Sequence, residues 1–464
     1  MKIHSLSMMA LAVIATVSVV AQTSQPTAPA TATDQQRPVS VSQVRIVRLS
    51  QTKGEVRLDR QTGQKFEEAF VNVPIVAGER LETLTGLAEV EFEDNSSLRL
   101  TPDSLVEFPV LGRDASGATV TTVKLVSGSF YISLVESKPA QNFTVLAGNR
   151  TITLGPSAHV RLALTKPEAK LAVFKGTVTV GAMAVEKKHT VTFDPGSDAV
   201  PVLAHNDGAA LFDNWDKTET EYHQARSTAS GFANSPYSYG TSDLNYYGSF
   251  ASYDGCGTMW RPYLADAAWS PYGSGVWTLY PGAGYSWVSP YPWGWTPYHS
   301  GNWLFCPSSG SWGWQPTGGW NGLNNLVATR SVKGPIHAPE PPHAGEPSLV
   351  AVNVKSLPTS RAGSDGSFVF AQGSAGLGVP RGTFNNLNHI SQTVNQRGSV
   401  TTSLSDSQVE RAMVPVSRSA SYANTGSHSS PGLPSAGTSM SSSSSISPSA
   451  AHSSSSGGTS GGHH

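Results

Sequence analysis

Charge is scarce in this sequence. Of its 464 residues only 14% are Asp, Glu, Lys or Arg, and they nearly cancel, leaving a formal net charge of −1. Globular chains usually carry about 25% charged residues. With no basic excess, the chain lacks the electrostatic footprint of a nucleic-acid binder. Cysteine is almost missing too: only Cys256 and Cys306 occur. Two thiols without an adjacent pair of histidines make no zinc-type ligand set. His463 and His464 close the chain and read as a solvated end, so no metal is assigned. No apolar run after residue 22 is long enough to cross a bilayer. The G-x-S-x-G elbow, the G-x(4)-G-K-[ST] loop and the H-E-x-x-H pair are all missing. These absences assign no catalytic residue and no cofactor, and they read as a non-enzymatic protein.

What is present begins with "MKIHSLSMMALAVIATVSVVAQ". One Lys precedes an apolar stretch from Ser5 to Val20, and Val19-Val20-Ala21 fits a small-x-small cleavage site. Residues 1–21 therefore read as a signal peptide. Residues 22–43, rich in Thr, Pro, Ala and Gln, read as a linker. The mature chain is expected to be exported: periplasmic, on the cell surface or secreted, with no span left after signal removal. In such a compartment two lone cysteines read as one disulfide, Cys256 to Cys306. Closing a loop of about fifty residues is worth roughly 4 kcal/mol through the unfolded state.

From 44 to 195 the pattern has period two. In "LAEVEFEDNSSLRL", Ala88, Val90 and Phe92 alternate with Glu89, Glu91 and Glu93, and Asp94-Asn95 turns the chain. This predicts a half-buried hairpin. Similar short runs separated by turn residues predict a mainly β, all-β domain, a sandwich or a β-solenoid-like stack. The acids Glu89, Glu91, Glu93 and Asp94 raise a paired-carboxylate site. Their alternation with apolar residues instead favours a solvated strand face. One short helix is predicted over 206–229, with Leu211, Trp215, Thr218 and Tyr222 on one side, Phe212 beside them and Asp207 as cap.

Residues 231–325 change character. Ten of the eleven Trp lie between Trp260 and Trp320, among few aliphatic residues. "WRPYLADAAW", "WSPYGSGVW" and "WTPYHSGNW" share W-x-P-Y, which predicts a turn or short hairpin copied in series. The fullest copy, "YPWGWTPYHSGNW", supplies the candidate ligand-binding residues Trp293, Trp295, Tyr298, His299 and Trp303. Indole and phenol rings can stack on sugars or proline-rich peptides. They can equally be core, since each indole buries on the order of 200 Å² and little else here can be buried. On the core reading, ten Trp exceed what one small core encloses, so some rings should remain exposed. If the PWGW piece is extended, Trp293 and Trp295 share a face. The Ser/Gly/Pro/Ala-rich remainder, 326–464, is predicted to be largely disordered.

Two parts resemble known families. "VAGERLETLTGLAEVEFEDNSSLRLTPDSLVEF", "VKLVSGSFYISL", "FTVLAGNRTITLGPSAHVRL" and "AVFKGTVTV" together resemble the FecR domain, with Asp94-Asn95-Ser96 at the hairpin turn and Gly176 in the late strand. Gly240, Asp243, Leu244 and Gly248, with Pro292 through Trp303, are similar to the uncharacterised region that follows FecR domains in a group of secreted bacterial proteins. The resemblance implies an exported all-β sensor or interaction module. The best-known FecR proteins relay a signal through a cytoplasmic N-terminal segment and a membrane helix. Here only four residues precede the apolar stretch. The resulting expectation is an exported envelope protein whose aromatic domain binds a cell-wall or extracellular glycan, or an envelope protein. A FecR-type signal sensor is the alternative. A glycan-active enzyme draws no support from the residues.

Overall fold

The hairpin that the alternation predicts is present. Leu87–Glu91 pairs antiparallel with Ser97–Leu100. Asn95 turns between them at φ 68°, a left-handed conformation that Asn tolerates better than most residues. The computed structural model describes residues 44–137, 141–205, 208–227, 237–331, 338–362 and 366–412. The signal peptide, the linker, the Asp207 cap and the tail beyond 412 lie outside these residues.

Seventeen strands from Val47 to His205 build the N-terminal domain as two sheets over one core. One sheet runs from Pro74–Ile75 through Val47–Lys53, Leu87–Glu91, Ser97–Leu100, the end of Thr119–Ser133, His159–Thr165 and Glu168–Lys175 to His189–Phe193 and Val202–His205. The other sheet includes Val56–Asp59, Arg80–Thr83, Ser104–Arg113, Asn142–Ala147 and Thr177–Val180. The long strand Thr119–Ser133 belongs to both. Up to Ser127 it pairs with Ser104–Arg113. From Gly128 onward it pairs with His159–Thr165. Gly128 makes the passage at φ 98°, and a Cβ there would lie 2.2 Å from Ser104 Oγ. No other residue fits such a close approach. Mainly β architecture of the sandwich kind is thus the fold of this domain.

The helix is shorter than predicted, and it is turned. α1 spans Asp213–Arg226 and buries Trp215, Asp216, Glu219, Tyr222 and His223. These fall at i, i+1, i+4, i+7 and i+8, one face of a helix. Leu211 lies before it and is 62% exposed. Apolar periodicity found Trp215 and Tyr222 but missed the rest of the buried face, because Asp216, Glu219 and His223 there are ionisable. α2, Thr241–Tyr247, follows and packs on α1.

The aromatic region holds three successive hairpins, but its W-x-P-Y segments take different conformations. The W-x-P-Y at Trp260 ends a strand, Gly257–Pro262; that at Trp269 lies in turns; that at Trp295 enters α3, Thr296–His299. Around them stand a five-stranded sheet, which includes Gly257–Pro262, Ser311–Gln315 and Asn302–Cys306, and a three-stranded sheet centred on Gly275–Tyr280. Cys256 and Cys306 form a disulfide, with Cα atoms 5.9 Å apart.

The chain after 326 departs most from expectation. Leu349–Val352 completes the three-stranded sheet. Ser367–Ala371 pairs with Ser399–Ser403, and α4, Leu387–Arg397, packs beside them. Phe368, Phe370, Phe384, Leu387 and Val394 are buried in the same cluster as the tryptophans. The segment folds despite its composition because the tryptophan cluster supplies the apolar surface it lacks by itself. All described residues belong to one compact unit.

Candidate functional site

The five aromatic-stretch candidates come together, but as core. Trp293, Trp295, Tyr298 and Trp303 are 0% exposed and His299 is 1% exposed. No ring face among them is open for stacking on a sugar. Trp293 stacks on Tyr291 at 5.1 Å and donates from Nε1 to the Ala375 carbonyl at 2.6 Å. Trp295 belongs to a different cluster, with Ile46, Tyr239, Tyr280 and Trp320. The PWGW piece is a turn rather than a strand, so the two indoles do not share a face. His299 Nδ1 donates to the Trp295 carbonyl at 2.8 Å. Burial, with a smaller contribution from Arg48, lowers its pKa to about 4. The ring is therefore neutral and structural. The expected surplus of exposed rings is also absent, since all ten Trp from Trp260 to Trp320 are 7% exposed or less. Side chains from outside the region, including Tyr222, Phe368 and Phe384, complete their enclosure.

The acidic strand gives the larger surprise. Glu89 and Glu91 are 0% exposed and Glu93 is 7% exposed. The solvated face that the alternation favoured is covered by the chain's own downstream elements. Cross-strand register sets two polar rows on this sheet. One runs Gln51, Glu89, Arg99, Tyr131, Arg161. The next runs Arg48, Glu91, Ser97, Ser133, His159, Lys175.

α1 lies along the first row. Its Asp213 accepts from Tyr131 Oη at 2.8 Å and from Arg161 at 2.7 and 2.8 Å. Asp216 takes Arg99 Nη1 at 2.6 Å and His159 Nε2 at 2.7 Å. His223 Nε2 reaches Glu89 Oε1 at 3.0 Å. From α2, Asp243 meets Arg48 Nη1 at 2.7 Å. Arg381 arrives from the segment before α4. It bonds Glu89 at 2.6 Å, Asp243 through Nε and Nη2 at 3.0 Å, and the Ser50 carbonyl at 2.8 Å.

The same strand face holds the aromatic stretch by its backbone. Arg48 Nη2 donates to the Pro292 carbonyl at 2.6 Å. Asn72 Nδ2 donates to the carbonyls of Ser289 at 3.1 Å and Tyr291 at 2.7 Å. Arg48 Nε donates to Asn72 Oδ1 at 3.0 Å and fixes its orientation. The YPWGW turn is thus a docking loop seated on the β domain.

The electrostatics follow from this crowding. Three guanidiniums, of Arg48, Arg99 and Arg381, face five carboxylates, of Glu89, Glu91, Asp216, Glu219 and Asp243. Burial alone would neutralise the acids. Against it, His223, Arg381 and Arg99 hold Glu89 well below its ordinary pKa. Arg381 and Arg48 lower that of Asp243 against the same burial. The acid excess acts in turn on His223. Burial lowers its pKa, but Glu89 and Glu91 outweigh burial and raise it. Removing one partner from such a network leaves a buried unpaired charge. Among the described residues no group of three His, Cys, Asp or Glu could hold a metal ion.

Sequence reasoning missed this site. It placed Arg381 in a disordered tail and took the strand acids as solvated. A signal was present: "GSFVFAQG" holds a short apolar run between turn residues within the low-complexity segment, and "VPRGTF" follows it.

Residues 79–179 match the family described as "FecR protein", and residues 241–338 match a "Family of unknown function (DUF6600)". The chain thus carries an N-terminal FecR-family domain and a separate aromatic region. No curated protein matches. Two crystal structures of a "putative anti-sigma factor" from Parabacteroides distasonis ATCC 8503 are similar at 11% identity and a TM-score of 0.23. One alignment covers 28% of this chain and 60% of that one; the other covers 35% and 70%.

Proposed function

We propose that this protein is a non-catalytic, extracytoplasmic FecR-type sensor and interaction module of the bacterial envelope, whose partner is another envelope protein. One observation carries the reading. The polar face of the FecR-family sheet is closed by the chain's own helices, docking loop and Arg381 through a buried ionic network. A partner that engages either half therefore acts on a single body. The disulfide supports an oxidising compartment. No helix among the described residues is long and apolar enough to cross a membrane.

The test is crosslinking of the tagged full chain in cells, followed by fractionation. It is run with the wild type and with Asp243→Asn, which weakens the contact between the halves. The expected result is an envelope protein crosslinked to the wild type and captured less by the variant while both remain folded. Recovery of the chain in the cytoplasm, or capture unaffected by Asp243→Asn, overturns the reading. A glycan ligand, the other class raised by the sequence, draws no support from the buried tryptophans.

A further inference from the structure

α1 covers the first polar row of the sheet but leaves part of the second uncovered. A cavity of about 340 Å³ opens there, between the sheet and the C-terminal half of the helix. That volume is at the low end of the ~300–1,000 Å³ typical of ligand sites, the scale of one small polar molecule.

The cause lies in the row itself. Ser97 and Ser133 are cross-strand partners in the middle of it, between Glu91 on one side and His159 with Lys175 on the other. Two small side chains in a row of long ones leave a depression. Their hydroxyls, with that of Ser157, form the floor, and none of the described hydrogen bonds engages these three side chains. One end carries Lys175 and the His159 ring. Arg99 of the sheet and His223 of α1 also line the groove, held by Glu89 and Asp216, and Thr220 and Gln224 of α1 complete the roof. Glu136 is the acid on the rim.

We infer that this groove binds one carboxylated sugar residue. The floor offers hydroxyl donors and acceptors spaced across two strands, which suits a polyhydroxylated ring. Lys175 offers a cation at one end for a carboxylate, a charge-assisted hydrogen bond about twice as strong as a neutral one. Apolar ligands find little here, and a dianion would meet Glu136. The groove does not depend on the envelope-protein partner proposed above, so each reading can fail without the other.

Calorimetric titration of the full chain with D-glucuronate, D-glucose and acetate tests the inference. Glucuronate is expected to bind about tenfold more tightly than glucose, as one charge-assisted bond of ~1.5 kcal/mol implies, and also more tightly than acetate, which lacks the ring hydroxyls. Lys175→Ala, at an exposed position, should erase the preference over glucose and leave the fold intact. Ser133→Leu should fill the floor and abolish both sugars. No heat with glucuronate, acetate binding as tightly as glucuronate, or equal glucuronate affinity in both variants overturns the inference.

Discussion

Glu79 shows how far a single buried group can work against the fold. It is 2% exposed, and its carboxylate accepts from the Val76 amide at 3.0 Å. Burial raises its pKa to about 8. The folded state therefore holds a proton that the unfolded state releases near 4.5. Stability from this group is full below pH 4.5, falls as pH rises toward 8, and is flat above. Glu79→Gln keeps the acceptor and removes the charge. At pH 7.5 it should stabilise the protein by about 1–3 kcal/mol, and the gain should vanish near pH 4.5. Urea melts at the two pH values check this. His223 has a dependence of the same sign, starting from a higher pH. Its pKa is raised in the folded state by Glu89 and Glu91 despite burial. Its contribution is present below the ordinary histidine value of ~6.5 and is lost as pH rises through the folded value. The stability difference between wild type and His223→Gln should be larger at pH 6 than at pH 9. A difference that stays constant across that range would remove the ionic role assigned to His223.

At the scale of elements, the segment around Arg381 behaves as a strap. It joins the acidic strand to α2 and also carries Phe384 into the aromatic cluster. Arg381→Ala leaves Glu89 and Asp243 short of their shared cation, and loss of one partner from a buried pair costs about 3–5 kcal/mol. Chemical denaturation should report a loss of that size. Arg381→Lys should recover only part of it, because one ammonium cannot make the forked contacts to Asp243. The disulfide ties the end of Asn302–Cys306 to the turn before Gly257–Pro262. Cys256→Ser with Cys306→Ser should cost about 2–5 kcal/mol, visible as a lower Tm that reductant no longer changes.

At the scale of the molecule, the two halves share core as well as charge. Val276 and Val288 of the aromatic region pack in the sandwich core, and Ile46 of the β domain packs with Trp295. Coincident unfolding by tryptophan fluorescence and by far-UV circular dichroism is expected, since ten Trp report one half and most strands the other. Two separated transitions would show the halves to be independent. The β domain, its hairpin at Asp94-Asn95 and the disulfide were legible because each rests on local signals: period-two alternation, a turn dipeptide and two lone cysteines; the aromatic stretch was legible only as two alternatives, core or stacking surface, because a ring's type does not say what encloses it. The three W-x-P-Y copies misled because a shared tetrapeptide does not impose a shared conformation. The strand acids misled for a different reason. Alternation shows which residues face away from a sheet's core but not what covers that outer face. The strands and the bridge were therefore set by local signals, whereas the burial of every ring in the aromatic region was not. That Glu89 meets Arg381 from 292 residues downstream was decided by the tertiary structure alone, since pairing over such a separation is set by packing and not by local preference.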